Sequence, residues 1–190
     1  MVMKLRKELL GRKMRVVVVN GYPLSGKDTF VNFCVHNLHL LNKGVGCNLS
    51  TIDAIKEIAS SLGWDGLKTD KDRKFLSDLK RLLKEWNDIP YRSISMKIHH
   101  LYRMYIERQV PEDKIIFFIH TREPEEIKRF KEDFGAITLL IKRDDNNNLE
   151  FSNESDKNVN NFNYDYVIEN NAGLEELEKK AMDFLKELNL

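Results

Sequence analysis

The stretch VVVVNGYPLSGKDTF, residues 16–30, restricts the fold of this chain more than any other feature. Its four consecutive valines indicate a strand buried on both faces, as in the centre of a parallel sheet. A helical pattern begins near Lys27, directly after a turn bracketed by glycines. Gly21, Gly26 and Lys27 fit the spacing G-x-x-x-x-G-K, which between a strand and a helix is typical of a phosphate-binding loop.

This spacing has a physical cause. Backbone N–H groups must turn inward around an anion, and glycine permits the backbone angles that this requires. Ser25 can add its N–H to the cradle, and the following helix directs the positive end of its dipole at the phosphates. Lys27 can reach the β- and γ-phosphate oxygens and offset the charge that develops during transfer. These features favour phosphate binding over a plain glycine-rich turn.

Strand-like and helical patterns alternate along the rest of the chain. Further strands are predicted at residues 47–51, 114–120, 136–142 and 164–170. Helices are predicted near residues 27–41, 53–62, 70–86, 94–106, 121–135 and 171–188. This alternation predicts one α/β domain, with a parallel sheet of about five strands between two helical layers. The helices of residues 53–110 are interpreted as an insertion, and the Asn-rich residues 144–163 as a mobile loop.

Composition narrows the class of protein. A chain of 190 residues is long enough for one sizeable core. Its apolar runs, such as Ile115–Ile119, are far shorter than the roughly 20 residues that cross a bilayer. The basic N-terminal segment lacks the apolar centre of a secretory signal. Cys34 and Cys47 lie in apolar stretches without metal-ligand spacing, which favours packing roles in a cytoplasmic protein with no membrane partner.

The charge is unevenly distributed. The formal net charge is +1, but residues 144–190 carry 12 acidic and 4 basic side chains. The preceding part is therefore basic enough to attract a polyphosphate. Nucleic acid is an unlikely partner because a long basic, aromatic-rich face is lacking, although the basic helix at residues 71–84 keeps that alternative open. Small nucleotides are the expected ligands, and the sequence leaves the oligomeric state open.

Asp28 departs from the usual loop, since a Ser or Thr there normally places its hydroxyl on Mg²⁺. The segment SGKDT resembles the loop of phage-type deoxynucleoside monophosphate kinases, within the P-loop nucleoside monophosphate kinases. Its first four residues are also similar to the loop of phosphomevalonate kinases. HTREPEE at residues 120–126 resembles the family's DTR segment, and ESD with YDYVIENNAGLEELEKK resembles its closing region. The similarity covers the loop, residues 115–142 and residues 155–188, and only loosely residues 63–110.

The resemblance implies a three-layer αβα P-loop NTPase fold, with ATP and Mg²⁺ as cofactors. It implies that Asp28 and Thr29 hold Mg²⁺ directly or through water, with helix capping as the alternative for Asp28. Asp53 would orient the acceptor or accept its proton, or would only cap a helix. His120 replaces the aspartate of the family's DTR, so the acidic role expected there cannot be transferred.

The other implied site residues concern the acceptor, the lid and the adenine. Arg73 resembles the arginine of the family's acceptor-side helix, and a solvated basic face is the alternative. Arg122 follows a buried strand at the sheet's carboxyl edge and is expected to contact the acceptor or the transferred phosphate. Arg143 is a candidate lid arginine or an ordinary surface residue. Asn171 and Gly173 would lie beside the adenine, with a simple turn as the alternative for Gly173.

The leading hypothesis is an ATP- and Mg²⁺-dependent kinase that phosphorylates a (deoxy)nucleoside monophosphate. Lys27, Asp53, Arg122 and Arg143 are the expected catalytic residues. The same chemistry on dephospho-CoA or phosphomevalonate is one alternative, because residues 63–110 exclude neither acceptor. A nucleotide-binding module without catalysis is the other, suggested by Asp28 and His120.

Overall fold

The structure is a computed structural model, and it describes residues 13–144, 159 and 162–190. Its strands are β1 (Arg15–Asn20), β2 (Val45–Ser50), β3 (Ile115–His120), β4 (Ile137–Lys142) and β5 (Tyr166–Glu169). They form one parallel sheet in the order β2-β3-β1-β4-β5, with the valine strand in the centre. The five predicted strands are therefore confirmed, with ends that shift by one or two residues.

The helices are α1 (Lys27–Leu40), α2 (Asp53–Ser61), α3 (Asp70–Asn87), α4 (Ile89–Glu107), α5 (Pro124–Phe134) and α6 (Leu174–Glu187). A short 3₁₀ turn, Glu112–Lys114, precedes β3. The predicted start of α4 near residue 94 was too late. Pro90 occupies the first turn of this helix, where its missing N–H costs no hydrogen bond, so the helix begins before it.

Two helical layers cover the sheet, as predicted. Alternate side chains of a strand point to opposite faces, so Val17 and Val19 join a core with α1 and α6. Val16 and Val18 join the other core, with α4 and α5. The continuous valine run is thus explained by burial on both faces, and the fold is a three-layer αβα sandwich.

The helix α3 differs from the others because every one of its residues keeps part of its surface exposed. The periodicity predicted an apolar packing face, yet Phe75, Leu82 and Trp86 remain exposed, Trp86 at 72%. This helix packs on α2 and α4 instead of the sheet, whereas α4 itself lies against β3. Within the predicted insertion, α4 is therefore a layer helix, and α2 and α3 form a wall beside the carboxyl edge of the sheet.

The predicted loop at residues 144–163 lies almost entirely outside the described residues. The described helices include none that is both long and apolar enough to span a bilayer. The five parallel strands end at one edge, where ligands of such sheets bind. The segments that follow β1, β2 and β3 meet at this edge, and they contain most of the candidate residues.

Candidate active site

The loop between β1 and α1 is shaped by its two glycines. Gly21 has φ 156° and Gly26 has φ 90°, angles that side chains of L-residues rarely adopt. A Cβ on Gly21 would lie 2.6 Å from the backbone oxygen of Ile141, and one on Gly26 would lie 2.3 Å from Nδ2 of Asn170. Both positions therefore require glycine for space as well as for conformation. Gly26 is also the N-cap of α1, so Asp28 lies in the first turn and the capping alternative for Asp28 is wrong.

Two groups of the loop donate hydrogen bonds to the carbonyl of Tyr22. The Ser25 N–H donates to it at 3.2 Å and the Lys27 Nζ at 3.3 Å. The expectation that the Ser25 N–H points into the cradle is therefore wrong for this structure, because the turn uses that donor internally. The Ser25 hydroxyl is fully buried and has no hydrogen-bond partner among the described residues. A buried hydroxyl left unpaired costs free energy, and a phosphate oxygen in the loop would satisfy it.

Asn170 ties the end of β5 to the phosphate loop. Its Nδ2 donates to the Ser25 carbonyl at 2.9 Å, and its backbone N–H donates to the Lys142 carbonyl at 2.7 Å. Asn171 exchanges hydrogen bonds with Asp144 at 2.7 and 3.0 Å, and its contact with the nucleotide stays a prediction. The residue that contacts the phosphate loop is therefore Asn170. No local sequence pattern marks it, because the contact spans 145 residues.

We expect Asn170→Ala to weaken ATP binding about tenfold, since a buried carbonyl loses its donor at a cost of about 1–3 kcal/mol. Calorimetric titration with ATP measures this loss. Asn32→Ala, an exposed change on α1, is the matched control and should leave the affinity unaltered. A larger loss in Asn171→Ala than in Asn170→Ala would contradict this assignment and support the sequence-based prediction for Asn171.

His120 is the last residue of β3, and charged side chains lie around it. Its Nδ1 is 3.6 Å from Oδ1 of Asp28, and neither ring nitrogen has a hydrogen-bond partner among the described residues. Burial lowers the pKa of His120, the charge of Asp28 raises this pKa and that of Lys27 lowers it, and the net direction is downward. Asp53 and Arg122 also act on this pKa, so the four charged side chains surround one imidazole.

The lowered pKa of His120 predicts a pH-dependent stability. An unfolded histidine titrates near pH 6.5, so the unfolded state binds more protons than the folded state just below that pH. The free energy of unfolding should therefore fall as pH falls through about 6.5, by at most about 1.4 kcal/mol per pH unit. Urea unfolding of wild type and His120→Gln, at about pH 7.5 and about pH 5.5, isolates this contribution. Equal pH dependence in the two proteins would contradict it.

A cleft of about 950 Å³ opens from the phosphate loop between the sheet edge and the wall formed by α2 and α3. Lys27, Asp28, Asp53, Arg73 and Arg122 all line it, so the structure brings together five residues that the sequence singled out. The Asp53 carboxylate accepts the Ser50 N–H at 2.8 Å, and the N-cap of α2 is Ile52. Asp53 therefore caps the end of β2, and the prediction that it caps a helix is wrong.

The sequence matches no protein-family model and no curated protein. Among solved structures it is similar to the Mycobacterium tuberculosis APS kinase CysC in complex with AMPPNP and APS. That likeness has 12% identity, a TM-score of 0.51 and coverage of 92% of this chain and 98% of that one. A Janibacter sugar kinase has 16% identity and a TM-score of 0.48, with 91% of this chain and 95% of that one covered. Shikimate kinase from Aquifex aeolicus has 11% identity and a TM-score of 0.44, with 90% of this chain and 96% of that one covered.

At such identities a likeness shows the fold, and of these three the APS kinase exceeds a TM-score of 0.5. This chain shares the fold of that protein, and it also has the G-x-x-x-x-G-K spacing between a strand and a helix. The chain has a three-layer αβα fold with a P-loop. Within this fold, the phosphate loop and the cleft lie at the carboxyl edge of the sheet, where open parallel α/β sheets bind their ligands.

Two residues that the sequence predicted for the site do not line the cleft. Arg143 follows β4 on the exposed side and is not among the residues that line the cleft. Gly173 is the exposed N-cap of α6, and a Cβ there would meet nothing within 4 Å. The lid role of Arg143 and the adenine role of Gly173 stay predictions, and Gly173 has the geometry of an ordinary turn.

The residues in the first turn of α1 fit a magnesium ion. The Asp28 side chain is 76% exposed toward the cleft, and Thr29 adds a hydroxyl in the same turn. Mg²⁺ commonly takes one or two protein ligands and completes its shell with phosphate oxygens and water. The described residues contain no group of three or more His, Cys, Asp or Glu that could hold a metal without such help.

The sequence-based analysis missed several basic residues of the cleft wall. Lys56 on α2 and Lys80 and Lys84 on α3 line the cleft together with Arg73. Lys80 also pairs at 3.6 Å with Glu126, whose side chain is only 5% exposed, and thereby joins α3 to the start of α5. The basic polar face of α3 was visible in the sequence, but the sequence did not indicate that this face turns toward the phosphate loop.

Proposed function

We propose that this protein is an ATP-dependent kinase that transfers the γ-phosphoryl group to a small phosphorylated acceptor, with a (deoxy)nucleoside monophosphate as the leading candidate. The observation that carries the proposal is that the phosphate loop, with Lys27, opens into one basic cleft that also contains Arg122 and Arg73. A kinase needs this arrangement because donor and acceptor phosphates must meet in line in one site.

In this proposal, Lys27 and the loop hold the β- and γ-phosphates of ATP. Arg122, at the end of β3, neutralises charge on the transferred phosphoryl group, and Arg73 contacts a phosphate of the acceptor. Asp53 orients the acceptor from the wall of the cleft. Mg²⁺ bound at Asp28 and Thr29 would supply further charge neutralisation at the phosphates. Phosphoryl transfer needs little covalent help, so positioning and electrostatics account for most of the catalysis.

The loop also supports two alternatives. Dephospho-CoA and phosphomevalonate are acceptors of the same chemistry, and their phosphates would meet the same basic cleft. A nucleotide-binding module without catalysis is favoured by one specific observation, the His120 imidazole that lies 3.6 Å from Asp28 where the resembling family has an aspartate.

A panel assay tests the proposal. Ribo- and deoxyribonucleoside monophosphates, dephospho-CoA and phosphomevalonate are incubated singly with ATP and Mg²⁺, and ADP formation is measured. We expect ADP formation to depend on one acceptor class. ATP binding without acceptor-dependent ADP formation across the panel would favour the binding module.

A further inference from the structure

The cleft contains more positive charge than one transferred phosphate requires. Eight of its lining side chains are cationic and three are acidic, namely Asp28, Asp53 and Glu123. Surface cations normally lie near acids that offset them, so an uncompensated excess within a concave site indicates an anionic ligand.

Among the described residues, acids pair with the cleft cations that lie at one end of α3. Lys80 pairs with Glu126 at 3.6 Å and Lys84 with Glu125 at 3.7 Å. Arg81 is shared between Asp78 at 3.9 Å and Glu85 at 3.5 Å. The end of α3 that lies beside the start of α5, and so beside the sheet edge, is therefore largely neutralised.

The other end of the cleft wall stays uncompensated. Lys56, Lys68 and Arg73 line the cleft, and within residues 13–144, 159 and 162–190 none of them has an acid at salt-bridge distance. Arg73 Nε donates to the Lys68 carbonyl at 3.2 Å, so the Arg73 guanidinium is held beside the backbone of Lys68. Asp70 and Asp72 lie in the same turn of α3, but neither lines the cleft, and Asp72 is bound to Thr69 in a capping box.

Lys68 and Arg73 lie at the start of α3, away from the site of transfer, because it is Lys80 that Glu126 holds next to Thr121 and Arg122. Arg73 lies seven residues before Lys80, which corresponds to about 10 Å along the helix axis. Lys56 is one turn beyond Asp53 on α2, on the same side of that helix. A ligand that contacts both Arg122 and this cluster must therefore extend beyond the phosphate that receives the phosphoryl group.

From this separation, and on the basis of the proposed function, we infer that the acceptor carries a second phosphate, which Lys56, Lys68 and Arg73 bind. A small nucleoside bisphosphate satisfies this requirement, with one phosphate at the transfer site and the other at the cluster. A single-stranded nucleic acid fits less well, because the exposed aromatic side chains of α3, Phe75 and Trp86, do not line the cleft and cannot stack a base beside the cations.

The test compares deoxyadenosine and thymidine 3′,5′-bisphosphates with the corresponding 5′-monophosphates. Dissociation constants are measured with the phosphate loop saturated by a non-hydrolysable ATP analogue, and kcat/KM is measured separately with ATP and Mg²⁺. We expect each bisphosphate to bind about tenfold more tightly than its monophosphate. The preference should disappear in Lys56→Gln/Lys68→Gln and persist in Lys71→Gln/Lys74→Gln, which removes two cations of α3 outside the cleft.

Equal affinity for bisphosphate and monophosphate, or a preference that survives in Lys56→Gln/Lys68→Gln, would overturn the inference. Tighter binding of a 5′-phosphorylated tetranucleotide than of either bisphosphate would also overturn it, in favour of a nucleic-acid end. The two failures are separable. Transfer to a monophosphate without bisphosphate preference would leave the proposed function intact, whereas cluster-dependent bisphosphate binding without transfer would remove the kinase activity and keep the second phosphate site.

Discussion

Lys27→Ala is expected to lower acceptor-dependent phosphoryl transfer by about a hundredfold to a thousandfold, the loss typical when one preorganised group that stabilises transition-state charge is removed. The Lys27 ammonium lies at the first turn of α1 and donates to the Tyr22 carbonyl in the phosphate loop. Its position at the rim of the cleft indicates that its charge serves a ligand and not the core. The free energy of unfolding should therefore change by less than about 0.5 kcal/mol.

Steady-state ADP formation and urea unfolding of the same preparation measure both parts of this prediction. Lys71→Ala, an exposed change on α3 outside the cleft, controls for the loss of one positive charge and should keep full activity. Wild-type activity in Lys27→Ala would remove the phosphate loop from the mechanism.

Gly26→Ala is expected to destabilise the protein by about 3 kcal/mol and to abolish measurable ATP binding. Two effects add at this position: the φ angle of 90°, and the approach of the new Cβ to within 2.3 Å of Asn170 Nδ2. The amide must move, and its hydrogen bond to the Ser25 carbonyl is lost with it.

Gly66→Ala separates the two effects. Gly66 also has φ 90°, but a Cβ there would meet nothing within 4 Å, so this variant carries the conformational cost alone, about 1 kcal/mol. The difference between the two variants in urea unfolding measures the collision with Asn170. Equal destabilisation of both proteins would show that the loop can shift without cost, and would contradict the close contact between position 26 and Asn170.

The sequence was most informative where one local segment determines the structure. The run Val16–Val19 can be buried on both faces only inside a parallel sheet, and the glycine spacing after it permits few backbone paths. Strand, loop and first helix could therefore be predicted from fifteen consecutive residues. The alternation of later patterns then determined the three-layer fold.

Features that depend on tertiary contacts could not be predicted in the same way. The periodicity of α3 identified a helix, but it carried no information on what that helix packs against, and Phe75 and Trp86 remain exposed. Asn170 could not be distinguished from its neighbour Asn171 in the sequence, because only the fold brings one of these two adjacent amides to Ser25. No pattern in the sequence indicated the cation cluster either, since Lys56 and Lys68 line one cleft only because α2 packs on α3.

The central claim is that this cleft transfers a phosphoryl group instead of only binding or hydrolysing a nucleotide. The most direct measurement follows the label from γ-³²P-ATP in the presence of Mg²⁺ and the pooled acceptors, with wild type and Lys27→Ala in parallel. The account predicts that label accumulates on a phosphorylated acceptor with wild type and stays on ATP with Lys27→Ala. Label that appears only as inorganic phosphate, or that stays on ATP with both proteins while ATP is bound, would contradict it.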